Sequence, residues 1–103
     1  LPRSKETAMH LYRIAREAIA NAQRHAGAEH IWVRLRRENG GLALTIRDDG
    51  RGLSEETDSR DGIGLRTMEH RADLIGATLR IESAEDGGTR VQCALPLSEA
   101  ESE

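Results

Sequence analysis

Apolar residues recur at helical spacing in two stretches of the chain, residues 7–26 and the residues that follow Gly62. A helix turns by about 100° per residue, which places the apolar positions of each stretch on one stripe. The first stripe consists of Leu11, Ile14, Ala15, Ala18, Ala22 and Ala26, and the second of Leu65, Met68, Ala72 and Ile75. Gly27 and Gly76 follow the stripes and are expected to end the two helices, because glycine readily adopts the left-handed conformation found there.

Alternation of apolar and polar residues predicts four strands, at residues 30–38, 42–48, 77–83 and 89–95. The first strand should be half-buried, with Ile31, Val33 and Leu35 on its inner face. Asn39-Gly40-Gly41 is a hairpin signal between the first two strands. The polar, acidic residues 53–61 have no period and predict a loop or flexible lid. The order helix, hairpin, lid, helix, hairpin favours an α+β fold, a two-layer α/β sandwich with both helices on one face of a mixed sheet.

Composition narrows the class of protein. The chain has 103 residues, of which 32% are charged and 37% hydrophobic, so we expect one soluble domain over residues 1–103. The net charge of −3 and the scattered Lys and Arg residues argue against nucleic acid as a partner. Cys93 is the single cysteine, which excludes an internal disulfide. The chain begins at Leu1, and we interpret it as a cytoplasmic fragment that itself makes no membrane contact, whatever anchor its parent protein has.

Asp48 is a polar residue that the strand pattern places on the core side. It occupies the next alternate position after Leu42, Leu44 and Ile46, whose side chains are expected to face the core. A carboxylate there requires a partner, because burying an unpaired charge is costly. Gly50 and Gly52 permit a tight turn and a close approach of a ligand to the backbone. We therefore interpret Asp48 as the floor of a pocket, where it accepts a hydrogen bond from a planar, amine-bearing ring such as adenine.

Polar residues border the apolar stripe of the first helix. Glu17 and Asn21 are i,i+4 neighbours, and Arg24 and His25 follow one turn later. An amide oxygen such as that of Asn21 suits Mg²⁺, which keeps water and substrate phosphates as its other ligands. Glu17 is placed to orient a water or polarise an attacking group. Taken alone, these residues fit an ordinary exposed polar face better than a site.

Two glycine-containing segments supply further candidates. Gly62-Ile63-Gly64 opens the second helix, where free backbone N–H groups and the helix dipole favour a phosphate. It has neither the third glycine of a dinucleotide fingerprint nor the lysine of a P-loop. Thr89 follows Gly87-Gly88 and occupies an alternate position of its strand that faces inward. Its hydroxyl and the Asp48 carboxylate could therefore both contact one edge of a base. Each segment alone is also an ordinary helix start or hairpin turn.

In this order and spacing, the segments resemble the ATP-binding catalytic domain of two-component sensor histidine kinases, within the GHKL or Bergerat-fold ATPases. The resemblance covers about residues 11–96. The matching segments are Arg16-Glu17-Ala18, Asn21 and Arg24-His25-Ala26 for the N box, Asp48, Gly50 and Gly52 for the G1 box, Gly62-Ile63-Gly64-Leu65, Met68 and Arg71-Ala72 for the G2 box, and Gly88-Thr89 for the last box. His25-Ala26, the short lid and the spacing of Met68 to Arg71-Ala72 resemble the nitrate-sensor-like subclass, whose response regulators usually bind DNA.

The resemblance implies a role for each matching residue. Asp48 and Thr89 would bind adenine, Asn21 would bind Mg²⁺, and Glu17 would assist transfer. The other implied nucleotide contacts are Arg24, His25, Gly50, Gly52, Gly62, Ile63, Gly64 and Leu65. Arg24 stands where the family usually has Lys, which keeps the positive charge but changes its geometry. The strand that the family has before the first helix is missing or truncated.

The implied activity is phosphoryl transfer from ATP to a histidine on a separate dimerisation domain, which in turn serves a response regulator. The histidines of this chain are His10, His25, His30 and His70, and none stands in the family's acceptor context, a histidine followed by an acidic residue. We therefore expect the fragment to hold the transfer machinery without the acceptor.

Three other functions share this fold. An anti-sigma-factor serine kinase is the nearest alternative, but the segment Arg24-His25-Ala26 and the second-helix pattern favour the sensor family. A non-catalytic nucleotide-sensing module is disfavoured by the intact Glu17, Asn21 and Asp48. A gyrase-type or chaperone-type ATPase would need a following domain to supply a catalytic lysine.

Overall fold

The structure is a computed structural model, and it describes residues 5–50, 62–83 and 87–96. The elements follow the predicted order. They are α1 (Lys5–Asn21), a π-helical turn (Ala22–Ala26), β1 (Ile31–Glu38), β2 (Gly41–Asp48), α2 (Gly62–Leu74), β3 (Thr78–Ser83) and β4 (Thr89–Pro96). Gly52 and the lid predicted at residues 53–61 lie outside the described residues.

The four strands form one sheet in the order β1-β2-β4-β3. The predicted α+β sandwich is confirmed. The sheet was expected to be mixed, but all three strand pairings in the described residues are antiparallel. The β2–β4 register pairs Ile46 with Val91 and Arg47 with Arg90, which brings the end of β2 beside the start of β4.

The core lies between the two helices and one face of the sheet. The predicted helix stripes are buried at Leu11, Ile14, Ala18, Ala22, Met68 and Ala72, while Ala15 and Ile75 are half-buried against them. The strands contribute the inward residues of β2 and β4, which are Leu42, Leu44, Ile46, Val91, Cys93 and Leu95. Cys93 is 0% exposed, and this burial raises the pKa of its thiol to about 11. This residue is therefore a core residue, as its alternation predicts.

β1 corrects one expectation. Its inner face was predicted to be half-buried, but Val33 is 53% and Leu35 44% exposed, and only Ile31 is partly buried. The reason lies in the tertiary packing, because α1 packs on β2 and α2 packs on β3. The helices therefore lie over these strands rather than over β1, which is an edge strand of the described sheet.

The end of the first helix differs from the expected regular α-helix through Ala26. Residues Ala22–Ala26 form a π-helical turn, and the Gly27 N–H donates to the Ala22 carbonyl. Gly27 ends the helix with φ 63°, as predicted, and Gly76 follows α2 with φ 71°. A π turn widens the helix and rotates its side chains relative to an α-helical continuation. No helix among the described residues is long and apolar enough to cross a membrane.

Candidate functional site

Asp48 lies at the end of β2 and is 5% exposed, the buried charged residue of the described core. Its Oδ1 atom accepts hydrogen bonds from the backbone N–H of Gly50 at 2.8 Å and of Thr89 at 3.4 Å. Continuing the β2–β4 register by one residue sets Thr89 opposite Asp48. The structure thus brings together the two residues that strand parity predicted to share one pocket edge. Hydrogen bonds to the ionised form stabilise a buried carboxylate.

Gly88 allows this close approach. A Cβ atom on residue 88 would overlap the carbonyl oxygen of Asp48 and would come within 3.1 Å of the Asp49 Cα. Because backbone cannot yield as a flexible side chain does, only glycine lets the start of β4 pack on the Asp48 turn. The Gly-Gly pair before the strand was the sequence signal for this contact.

Asp49 is a residue that the sequence reasoning missed. Its Oδ1 accepts the backbone N–H of Glu29 and of His30, both at 2.9 Å, and its Oδ2 lies 2.8 Å from Nδ1 of His30. Its own N–H donates to the His30 carbonyl at 3.3 Å. These bonds hold the pKa of the Asp49 carboxyl below its ordinary value of 3.8, and the backbone N–H of His30 makes the largest contribution to this lowering. Two adjacent aspartates in a glycine turn were the available signal.

A second cluster forms on α1 and its π turn. The Nη2 atom of Arg24 lies 3.3 Å from Oε2 of Glu17 and 3.3 Å from Oδ1 of Asn21. The Arg24 side chain is 59% exposed and that of Glu17 is 30% exposed. Three of the predicted residues therefore converge, and two of their oxygens point at one cationic nitrogen.

A cleft of 520 Å³ separates α1 from α2 beside this cluster. Its charged lining consists of Arg13, Arg16, Glu17, Arg24 and Arg71, and Thr67 and Gln23 add polar groups. Arg71 lies with Nη1 3.3 Å from Nδ1 of His10 across the helix pair, and Arg16 lies over the Tyr12 ring at 5.9 Å. Four arginines against one glutamate suit an anionic ligand. Arg13 was not predicted, because an arginine on a helix face gives no sign of the helix opposite.

The predicted residues thus form two groups, one at the sheet end and one on α1. Gly62, Ile63, Gly64 and Leu65 form the first turn of α2, as expected. The side chains of His25, Ile63 and Leu65 lie outside the described part of the structure, as does Gly52. The part of the chain that is described holds no cluster of three or more His, Cys, Asp or Glu residues that could bind a metal.

Comparison with known proteins places this geometry in a family. Residues 6–99 match the family described as histidine kinase-, DNA gyrase B- and HSP90-like ATPases. The sensor protein VraS of Staphylococcus aureus (strain COL) is 39% identical over 93 residues, which cover 90% of this chain and 27% of VraS. The chain therefore spans about a quarter of the length of the curated relatives it matches.

Solved structures show the same fold. A histidine kinase domain of the blue-light activated histidine kinase from Erythrobacter litoralis aligns with a TM-score of 0.76 and 30% identity, covering 91% of this chain and 49% of that one. The ATP-binding domain of PrrB from Mycobacterium tuberculosis aligns with a TM-score of 0.74 and 29% identity, covering 88% and 69%. The resemblance to sensor histidine kinases is thereby confirmed, and the chain belongs to the family of histidine kinase-, DNA gyrase B- and HSP90-like ATPases.

Proposed function

We propose that this chain binds ATP with Mg²⁺ and supplies the phosphoryl-transfer machinery of a sensor histidine kinase. The γ-phosphate goes to a histidine on a separate dimerisation domain of the parent protein, and from there to a response regulator. The observation that carries this proposal is the buried Asp48 carboxylate, fixed beside Thr89 by backbone N–H groups. The sensor proteins and histidine kinases among its relatives support it. Residues 1–103 would constitute one catalytic domain of that longer protein.

Asp48 recognises the base. Among the described residues, both N–H donors to its carboxylate reach Oδ1, which leaves Oδ2 to accept from the exocyclic amine of adenine. An ionised carboxylate only accepts, so it selects a ring that presents a donor. The Thr89 hydroxyl, on the neighbouring strand, contacts the same base edge. Gly50 has no side chain where the ring would enter, and Gly52 is a further proposed nucleotide contact.

The side-chain oxygen of Asn21 fits Mg²⁺, and an oxygen of Glu17 lies beside it. Both lie 3.3 Å from one nitrogen of Arg24, so the pair already converges on a single positive centre. Hard oxygen donors are the ligands that Mg²⁺ takes, with water and phosphates completing its shell. Asn21 would hold the ion, which when bound neutralises phosphate charge. Glu17 would orient the attacking group.

The remaining residues bind the phosphates. Arg24 lines the arginine-rich cleft, and it would contact a phosphate once released from Glu17 and Asn21. The backbone N–H groups of Gly62, Ile63, Gly64 and Leu65 are at the start of α2, where a helix favours anions. His25, which belongs to the π turn, is a further proposed nucleotide contact. Transfer then depends on positioning and charge stabilisation, which these groups provide.

A transfer assay tests the proposal. The chain is incubated with labelled ATP, with and without the dimerisation domain of its parent protein, and acid-labile phosphate is measured. We expect no label on the chain alone and slow, concentration-dependent label on the added domain, because the covalent tether is missing. Asp48→Asn should bind ATP about tenfold to a hundredfold more weakly, a loss of about 1.5–3 kcal/mol, and should transfer correspondingly less. Strong labelling of the chain alone, or equal ATP affinity of both forms, would contradict the proposal.

A further inference from the structure

We propose that Asp49 is a positioning residue that holds the adenine-binding Asp48 in register with the end of the helix that binds phosphates and metal. The inference rests on the proposed function, and it assigns a role to a residue outside the predicted site. Four contacts carry it: the Asp49 carboxylate accepts two backbone N–H groups and faces the His30 ring, and the Asp49 N–H donates to the His30 carbonyl.

The partners of Asp49 lie in a short link between the two groups of the site. The π turn that carries Arg24 ends at Gly27, and the Ala28 N–H donates back to Ala22 at 3.5 Å. Glu29 and His30 follow immediately, and β1 begins at Ile31. Asp49 therefore binds residues 29 and 30 by hydrogen bonds, a few residues beyond the turn that carries Arg24. Asp49 is also the residue that follows Asp48 in the chain.

The hydrogen bonds between Asp49 and His30 also extend the sheet. The last β1–β2 pair joins Ile31 to Asp48, and the bonds between Asp49 and His30 continue the contact one residue further. Without the Asp49 carboxylate, the N–H groups of Glu29 and His30 would lose this acceptor, and the link would be free to move relative to Asp48. A binding site in which both ends must be engaged together loses affinity when its parts are not held in place.

The carboxylate oxygen that accepts the two backbone N–H groups is what the role requires. In the Asp49→Asn variant the amide oxygen can accept the same two bonds, whereas the Asp49→Ala variant has no side-chain acceptor. The contact with the His30 ring is the most solvent-exposed of these interactions, since the His30 side chain is 66% exposed and the Asp49 side chain 26%. Removing the ring should therefore matter less than removing the carboxylate.

The test measures ADP affinity by calorimetry for the wild type, Asp49→Ala, Asp49→Asn and His30→Ala, at a temperature where circular dichroism shows each to be folded. We expect Asp49→Ala to bind about tenfold more weakly, Asp49→Asn to stay within about threefold of the wild type, and His30→Ala within about twofold. In an Asp48→Asn background, Asp49→Ala should have less than about a threefold effect, because Asp49 acts through Asp48.

The outcomes separate the two proposals. If the wild type does not bind ADP, the proposed function fails. If the wild type binds and Asp48→Asn weakens binding, but Asp49→Ala binds like the wild type, the positioning role is wrong. An equal effect of Asp49→Ala in both backgrounds also contradicts it. If Asp49→Ala does not fold, amide exchange decides in the wild type: saturating ADP should slow exchange at Glu29 and His30, and unchanged exchange there overturns the inference.

Discussion

In the proposed site, the end of the sheet and the end of α1 would hold the same nucleotide in different ways. At the sheet end, Asp48 is 5% exposed and is fixed by backbone N–H groups of two segments. On α1, Glu17, Asn21 and Arg24 are held by side-chain contacts at 3.3 Å, and the Arg24 side chain is 59% exposed. The sheet end, where we propose that the base binds, is therefore formed before a ligand arrives. At the α1 end, where we propose that the phosphates bind, Arg24 would have to exchange Glu17 and Asn21 for the ligand.

This difference predicts unequal costs of substitution. A hydrogen bond to a buried charged group contributes about 1.5–3 kcal/mol, while an exposed ion pair contributes about 0–1 kcal/mol and weakens with salt. Substitutions at the sheet end should therefore have the largest effects on nucleotide affinity. Substitutions on α1 should lower affinity mainly when both the metal ion and a triphosphate are present.

The largest effect is expected from Gly88→Ala. The added Cβ overlaps the Asp48 carbonyl oxygen, so the start of β4 must move away and the Asp48–Thr89 arrangement is lost. We expect nucleotide affinity to fall about a hundredfold, or ~3 kcal/mol. Gly76→Ala is the matched control, since residue 76 has φ 71° and nothing near a new Cβ. It should cost about 1–2 kcal/mol of stability with unchanged affinity. Wild-type affinity in Gly88→Ala, measured by calorimetry, would show that the sheet end is not preformed.

Asn21→Ala should have an intermediate effect that depends on metal. The Asn21 oxygen is the proposed metal ligand, and Mg²⁺ bridges protein oxygens and phosphate. We expect ATP affinity to fall about tenfold with Mg²⁺ present and less than about twofold in chelator. Calorimetry of the wild type and the variant in both conditions measures this. A variant that keeps the full Mg²⁺ enhancement would remove Asn21 from the metal site.

The smallest effect concerns acid stability. The pKa of Asp49 is lowered in the folded chain, so its contribution is complete above the ordinary value of 3.8 and is lost as pH falls through the lower folded value. The stability difference between the wild type and Asp49→Asn should therefore be constant near neutral pH and shrink in this acid range. Urea titrations from about pH 7 to about pH 2 measure it. A difference that does not change with pH would show that the Asp49 charge adds nothing.

The comparison also separates what the sequence could predict from what it could not. Strand alternation is a local property, and it correctly set Asp48 and Thr89 on one face, because parity follows from the period of two in a strand. The grouping of Glu17, Asn21 and Arg24 also follows from local spacing, because residues at i, i+4 and i+7 lie on one face of a helix. The π turn at Ala22–Ala26 that carries Arg24 was not predictable, because helical spacing does not reveal it.

Long-range packing accounts for the other differences. The exposure of Val33 and Leu35 follows from where the helices lie over the sheet, which no alternation pattern contains. Asp49 was overlooked because its partners at residues 29 and 30 become neighbours only once β1 pairs with β2. The cleft arginines Arg13 and Arg71 are likewise brought together by the packing of one helix against the other.

The most direct test of the account compares ATP with inosine triphosphate on the wild-type chain in the presence of Mg²⁺. The two ligands share the ribose and triphosphate, so interactions with α1 should cancel. They differ at position 6 of the base, where the exocyclic amine of adenine is replaced by a carbonyl oxygen and the adjacent ring nitrogen carries a proton. We predict that inosine triphosphate binds the wild type at least about tenfold more weakly, because it offers the Asp48 carboxylate no amine donor. In Asp48→Asn the ratio should narrow to within about threefold. Equal affinities of the wild type for the two nucleotides would contradict base recognition by Asp48.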